Sequence, residues 1–332
     1  MGRALRYVER KNTFAYGGSS QRGFLMSLRF KQISVIGAGA MGAVYASKFY
    51  DMDKGCISLI AGGHRYSRLR DKGLLVNGKH YSIPVHRPEE EMPCSDLILV
   101  AVKNHHLPQA ICDMKKAVGE GTHILSVMNG IDSEKQIGGV YGMEKILYAV
   151  AVGIDAVRLD GAVTYSRNGK LYFGEAENLV LTERVKAIQI LFDRAGIVHE
   201  TPGDMIRTLW WKFMINVGIN QASAVLRAPY GVFQRFREAR ELMETAMREV
   251  ISLAEAAKIS LSEQDIQEYY SFLTKVSPDG KTSMLQDVEA KRKTEVEIFA
   301  ERVMDLGKQY AVSTPVNETL YRILRVTEQY IE

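Results

Sequence analysis

The chain has 332 residues, 46% of them hydrophobic and 25% charged, which excludes a disordered, collagen-like or disulfide-scaffold protein and leaves length for two domains. Its net charge of +4 is concentrated at the start, where Arg3, Arg6, Arg10, Lys11, Arg22 and Arg29 face only Glu9, so the rest of the chain is near neutral and lacks a nucleic-acid footprint. The longest apolar stretch, Ile146 to Ile154, is nine residues, well short of the ~20 that span a bilayer, so no membrane partner is expected.

Residues 1–30 are Arg-rich and acid-poor without a long apolar run, which excludes a secretory signal. An organellar transit peptide is one reading. We prefer a disordered leader before a folded chain whose start lies near Met26. Cys56, Cys94 and Cys112 form no C-x-x-C pair and read as reduced thiols of a cytoplasmic protein, with no metal site.

The first folded segment, Ile33-Ser34-Val35-Ile36, predicts a strand that stops at Gly37-Ala38-Gly39-Ala40-Met41-Gly42. A helix over 43–49 and a second strand over 56–61 follow. Strands over 96–102, 123–127 and 145–152, with a helix over 107–118, continue the alternation and predict a mostly parallel, doubly wound sheet. Around Asn168-Gly169 the pattern predicts an antiparallel hairpin over 162–174 that closes this half. Beyond Thr201-Pro202-Gly203 only helices are predicted, over 205–227, 231–258, 263–275, 283–311 and 315–331. The expected organisation is a leader (1–30), a Rossmann-type α/β domain (31–202) and an all-α domain (203–332).

Gly37-x-Gly39-x-x-Gly42 follows a strand and opens a helix, the context in which this spacing marks a dinucleotide site. The first glycine makes the turn, the second lets backbone approach a pyrophosphate, the third packs helix on strand, and the free N–H groups of the helix start suit phosphate. Gly37, Ala38, Gly39, Ala40, Met41 and Gly42 are therefore cofactor-site candidates. No acidic residue stands between Ile57 and His64 to hold a ribose 2′-hydroxyl, whereas Arg65 and Arg68 follow. This favours NADPH/NADP+ over NAD, the other reading being that both arginines are simply solvated.

Lys212, Asn216 and Asn220 interrupt an otherwise apolar helix at i, i+4 and i+8. They share one side and drift by about 80° in all. The stripe is read as facing a cleft, the alternative being the solvent face of an amphipathic helix. Lys103 and Asn129-Gly130 follow predicted strands and so sit at the carboxyl ends of the sheet, where ligands of doubly wound folds bind. His105 and His106 are left as surface residues. Ser283 and Glu295 are placed on the long helix 283–311, where Glu295 is one carboxylate among several.

Together these motifs resemble the ketopantoate reductase (2-dehydropantoate 2-reductase) family over about residues 31–330. They occur in order: Val35-Ile36-Gly37-Ala38-Gly39-Ala40-Met41-Gly42, Val102-Lys103, Asn129-Gly130, Trp211-Lys212 with Asn216 and Asn220, Thr282-Ser283-Met284-Leu285-Gln286-Asp287, and Lys293-Thr294-Glu295. The resemblance implies NADPH-dependent reduction of ketopantoate in pantothenate and coenzyme A synthesis. It implies Lys212 as general acid and Glu295 in support of catalysis. Asn129, Asn216, Asn220 and Ser283 would line the substrate site, with Lys103 at the cofactor. The chain departs from the family pattern at Gly62, where Arg is frequent, at Gln221 in place of proline, and at Glu301 in place of a glycine. Another 2-oxo acid as substrate, or an NADP-binding sensor without catalysis, are the competing functions. A sensor would have no use for a buried Lys212 beside Glu295. Whether the chain pairs as a homodimer is left open by the sequence.

Overall fold

The computed structural model describes residues 30–331. The expectation for the leader lies outside them, apart from Phe30, whose ring packs near His123. The first half is built on strands β1 (Ile33–Ile36), β2 (Ile57–Ile60), β3 (Leu74–Val76), β4 (Lys79–Tyr81), β5 (Val85–His86), β6 (Ser95–Val100), β7 (Val118–Ser126), β8 (Ile146–Ile154), β9 (Val157–Leu159), β10 (Ala162–Thr164), β11 (Asn168–Gly174) and β12 (His199–Glu200). Eight of them form one sheet in the order β12-β11-β8-β7-β6-β1-β2-β5. It is parallel throughout except between β8 and β11. β1 is buried at every residue and β6 at all but Asp96, as expected of central parallel strands covered on both faces.

The antiparallel closure of this half is present, but its turn is not at Asn168-Gly169. Those residues begin β11, which pairs with β8. The hairpin joins β9 to β10 instead, through Asp160-Gly161, both at positive φ (48° and 87°). An Asp-Gly pair supplies the same backbone freedom as Asn-Gly, so local turn chemistry could not choose between them. β9 and β10 belong to a second sheet, β4-β3-β10-β9, which the sequence pattern did not reveal. Its strands are three residues each, too short for a periodicity, and it packs on the helix Ala40–Met52.

After β12 only helices occur among the described residues. Met205–Ile215, a π-helical turn Asn216–Asn220 and Gln221–Leu226 make one continuous rod. Its beginning buries Met205 and Leu209 against Val150 of the sheet, and its remainder buries Phe213, Met214 and Val217 in the helical core. The rod thereby forms the seam between the halves. Two expected helices are broken. The span 231–258 divides at Phe236 into Tyr230–Arg235 and Arg237–Ala256. The span 283–311 divides into Ser283–Glu289, a 3₁₀ turn Val296–Ile298 and Ala300–Tyr310. Glu295 is therefore not on a helix; it sits in the connection between two of them. Buried Thr294 holds that connection by donating to Glu328, a tertiary contact with no local signature. No helix of the described residues is long and apolar enough to cross a membrane.

Candidate active site

The helix Ala40–Met52 starts directly after the glycine turn at the carboxyl end of β1. Its N-cap, Gly39, makes no side-chain cap, and no acid stands in its first turn, so its free N–H groups face outward unneutralised. Each glycine has its own steric reason. Gly37 has φ +99°, and a Cβ there would meet the Ala101 carbonyl at 2.6 Å. A Cβ at Gly42 would lie 1.9 Å from the Gly37 oxygen. A Cβ at Gly39 would meet nothing within 4 Å and would project into open space. The turn is thus closed beneath and open above, the form of a cradle for a ligand. Gly42 serves from below: it packs helix against turn and does not itself line the cavity above.

That cavity has a volume of about 1410 Å³ and runs from the glycine turn to the helical half. It is larger than the ~300–1,000 Å³ of most small-ligand sites, with room for a dinucleotide beside a small acid. Around it the structure brings together Gly37 to Met41, Arg65, Arg68, Lys103, Asn129, Lys212, Asn216, Asn220, Ser283 and Glu295. The cleft reading of the polar stripe is the one the fold adopts. Asn216 and Asn220 are buried within the rod. The wider π turn between them offsets part of the α-helical drift, so the three side chains stay close to one line.

Lys212 occupies the seam and forms no ion pair among the described residues. Burial alone lowers its pKa from 10.5 to about 8. The expected partnership with Glu295 is not formed as an ion pair, because Glu295 is engaged by groups of the sheet half. It accepts from Asn129 Nδ2 at 2.9 Å and pairs with Lys103 Nζ at 3.2 Å. Lys103 also pairs with Asp287 at 3.0 Å, and Asn216 donates to Asn129 Oδ1 at 3.3 Å. Burial would lower the Lys103 pKa, but Glu295 and Asp287 outweigh it and the ammonium is held above its usual range. Sequence spacing could not pair Lys103 with Glu295, since they lie on different halves. Ser283 opens the helix capped by Thr282, whose Oγ1 accepts from the Leu285 N–H.

At the other end of the cavity, β2 closes with Ala61-Gly62-Gly63 and no carboxylate, and the helix Gly63–Lys72 carries Arg65 and Arg68. Arg65 donates to His106 Nε2 at 2.5 Å. His106 is therefore not the free surface residue expected: it lines the cavity, and burial, aided by His105 and Arg65, lowers its pKa to about 4 and keeps it a neutral acceptor. Tyr230, Tyr269 and Phe272, which no motif singles out, form an aromatic wall of the same cavity with Trp211 of the Trp211-Lys212 motif.

A mostly parallel sheet with a glycine turn at its crevice, facing a half-buried cation on the helical half, defines a Rossmann-type dinucleotide-dependent oxidoreductase. Residues 33–178 match the family model "Ketopantoate reductase PanE/ApbA" and residues 204–328 match "Ketopantoate reductase PanE/ApbA C terminal". The chain belongs to the ketopantoate reductase family. Among its relatives is the 2-dehydropantoate 2-reductase of Aquifex aeolicus, 26% identical over 304 residues, covering 89% of this chain and 96% of the relative. The solved 2-dehydropantoate 2-reductase of Geobacter metallireducens superposes with a TM-score of 0.80 at 25% identity over 89% of this chain and 99% of that one. A D-mandelate dehydrogenase solved with NADH and anilino(oxo)acetate shares the fold, with a TM-score of 0.81 at 22% identity over 90% of this chain and 99% of that one.

Proposed function

We propose that this chain reduces ketopantoate (2-dehydropantoate) to (R)-pantoate with NADPH, the reaction that supplies pantothenate and coenzyme A synthesis. The observation that carries the reading is Lys212, a half-buried ammonium without a carboxylate partner, facing the cavity that begins at the glycine turn. Bound NADPH would supply a hydride to C2 of the 2-oxo acid.

The chain's own residues do the rest. The glycine turn and the helix start at Ala40 would hold the pyrophosphate, and Arg65 and Arg68 would meet the 2′-phosphate. Lys212 sets its ammonium against the substrate carbonyl oxygen, polarises it, and donates the proton that the oxygen gains as C2 is reduced. A pKa near 8 brings the lysine closer to the working pH than an exposed one and makes donation easier. Asn216, Asn220 and Ser283 orient carboxylate and hydroxyl oxygens without adding charge. Glu295, positioned by Lys103 and Asn129, is the acceptor for a substrate hydroxyl. Catalytic and cofactor groups come from opposite sides of the cleft, so closure on the substrate assembles the site.

The aromatic wall of Trp211, Tyr230, Tyr269 and Phe272 favours a second reading, in which the preferred 2-oxo acid carries a bulkier apolar side chain. Following NADPH oxidation with ketopantoate beside a panel that includes phenylglyoxylate separates the two. The highest kcat/KM is expected with ketopantoate. Turnover of none of the panel would leave the NADP-binding sensor as the function.

A further inference from the structure

The short strand β9 has its polarity reversed. Val157 and Leu159 are 38% and 72% exposed, Val157 at the same cavity, whereas Arg158 between them is half-buried in the cavity wall and reaches the glycine turn. Alternation places the three residues on opposite faces, and the ordinary arrangement would bury the valine and leucine and leave the arginine in water. Here the chain exposes a large aliphatic side chain and turns a guanidinium toward the glycine turn. Arg158 Nη1 donates to the Ala38 carbonyl at 3.3 Å, which uses one of five N–H donors, and it forms no ion pair among the described residues. The strand is fixed by its pairing with β10 (Val163 opposite Arg158), and the small sheet packs on the helix that follows the glycine turn.

We propose that Arg158 is a pyrophosphate-binding residue. The small sheet delivers a cation to the glycine turn, where the helix start otherwise offers only partial charge to a doubly anionic group. This rests on the reading that the cavity takes NADPH, and it assigns the pyrophosphate contact to a residue outside the glycine fingerprint. Because NADH and NADPH share the pyrophosphate, the contact serves both alike, unlike a contact to the 2′-phosphate.

The test is fluorescence titration of Arg158→Gln, Arg158→Lys and Arg65→Gln with NADPH, NADH and 2′-AMP, alongside the melting temperature of each unliganded protein. Arg158→Gln is expected to weaken NADPH and NADH by the same factor, about 10-fold or more, to flatten the salt dependence of both, and to leave 2′-AMP unchanged. Arg158→Lys keeps the charge and is expected to lose less. Arg65→Gln should instead weaken NADPH and 2′-AMP and spare NADH. A loss below twofold on both dinucleotides would overturn the proposal. So would a loss of 2′-AMP binding accompanied by a lower melting temperature, which would make Arg158 a structural tether of the turn. If the wild-type protein binds neither dinucleotide, the NADPH reading itself fails and this assignment with it.

Discussion

Glu295 pairs with Lys103 at 3.2 Å across the cleft, and Lys212 is left without a carboxylate. The two charged groups expected to work as one unit are therefore divided. Lys103, Glu295 and Asn129 form a network that ties the halves together, and Lys212 stands outside it.

Lys212→Ala is expected to lower kcat by about 10² or more and to leave NADPH affinity nearly unchanged, because the glycine turn lies on the other half. Arginine should not restore turnover, since it does not readily release a proton. With Lys212 as the proposed proton donor, kcat/KM for reduction is expected to hold at low pH and fall as pH rises through about 8. The same burial has a stability signature. The lysine titrates near 8 folded and 10.5 unfolded, so its burial is unfavourable below pH 8 and the penalty fades as pH rises through that window. Lys212→Met should accordingly raise the melting temperature at pH 7. A near-normal kcat for Lys212→Ala would remove Lys212 as the proton donor.

The Lys103 network should show coupling. Asp287 and Glu295 side chains are 5% and 7% exposed, while Lys103 is 40% exposed. Lys103→Met is expected to destabilise by about 1–2 kcal/mol, less than the ~3–5 for a fully buried pair because solvent reaches the lysine. Adding Glu295→Gln should recover part of that loss. Chemical denaturation of the two single variants and the double variant measures the cycle, and simple additivity would show that the pair contributes nothing.

The glycines separate folding from binding. Gly39→Ala should keep the melting temperature, since its backbone (φ −77°) suits any residue and its Cβ meets no atom, yet it should weaken NADPH strongly by filling the approach to the turn. Gly42→Ala should do the reverse to the fold, because its Cβ would press on the Gly37 oxygen at 1.9 Å. Thermal melts with and without NADPH distinguish the two outcomes.

Glu134 gives a pH effect remote from the site. It lies buried at the start of the helix Ser133–Tyr141, accepts from Ser133 Oγ at 3.0 Å, and burial raises its pKa from 4.5 to about 7. The folded state thus holds a proton that the unfolded state releases, so this contribution is complete below pH 4.5 and lost as pH rises through 7. Its size is on the order of 3 kcal/mol. Glu134→Gln should remove that slope from stability measured between pH 4.5 and 7, and an unchanged slope would show that Glu134 is ionised in the fold.

The sequence by itself determined the parts whose signal is local or periodic. The apolar run before Gly37 and the glycine spacing define strand, turn and helix start because only certain residues tolerate those contacts. The polar stripe of Lys212, Asn216 and Asn220 was legible because a helix repeats every 3.6 residues and the rest of that segment is apolar. Tertiary structure alone decided the remainder. The choice of Asp160-Gly161 over Asn168-Gly169 as the hairpin turn was made by β8, which captured β11. The break that frees Glu295 from a helix depends on Thr294 meeting Glu328, and its pairing depends on Lys103, nearly two hundred residues earlier. Arg158 acquired its reach to the glycine turn from a sheet of three-residue strands, too short to carry a pattern of their own. Periodicity reports which face of an element is buried, but what lies opposite that face is set by how distant elements pack.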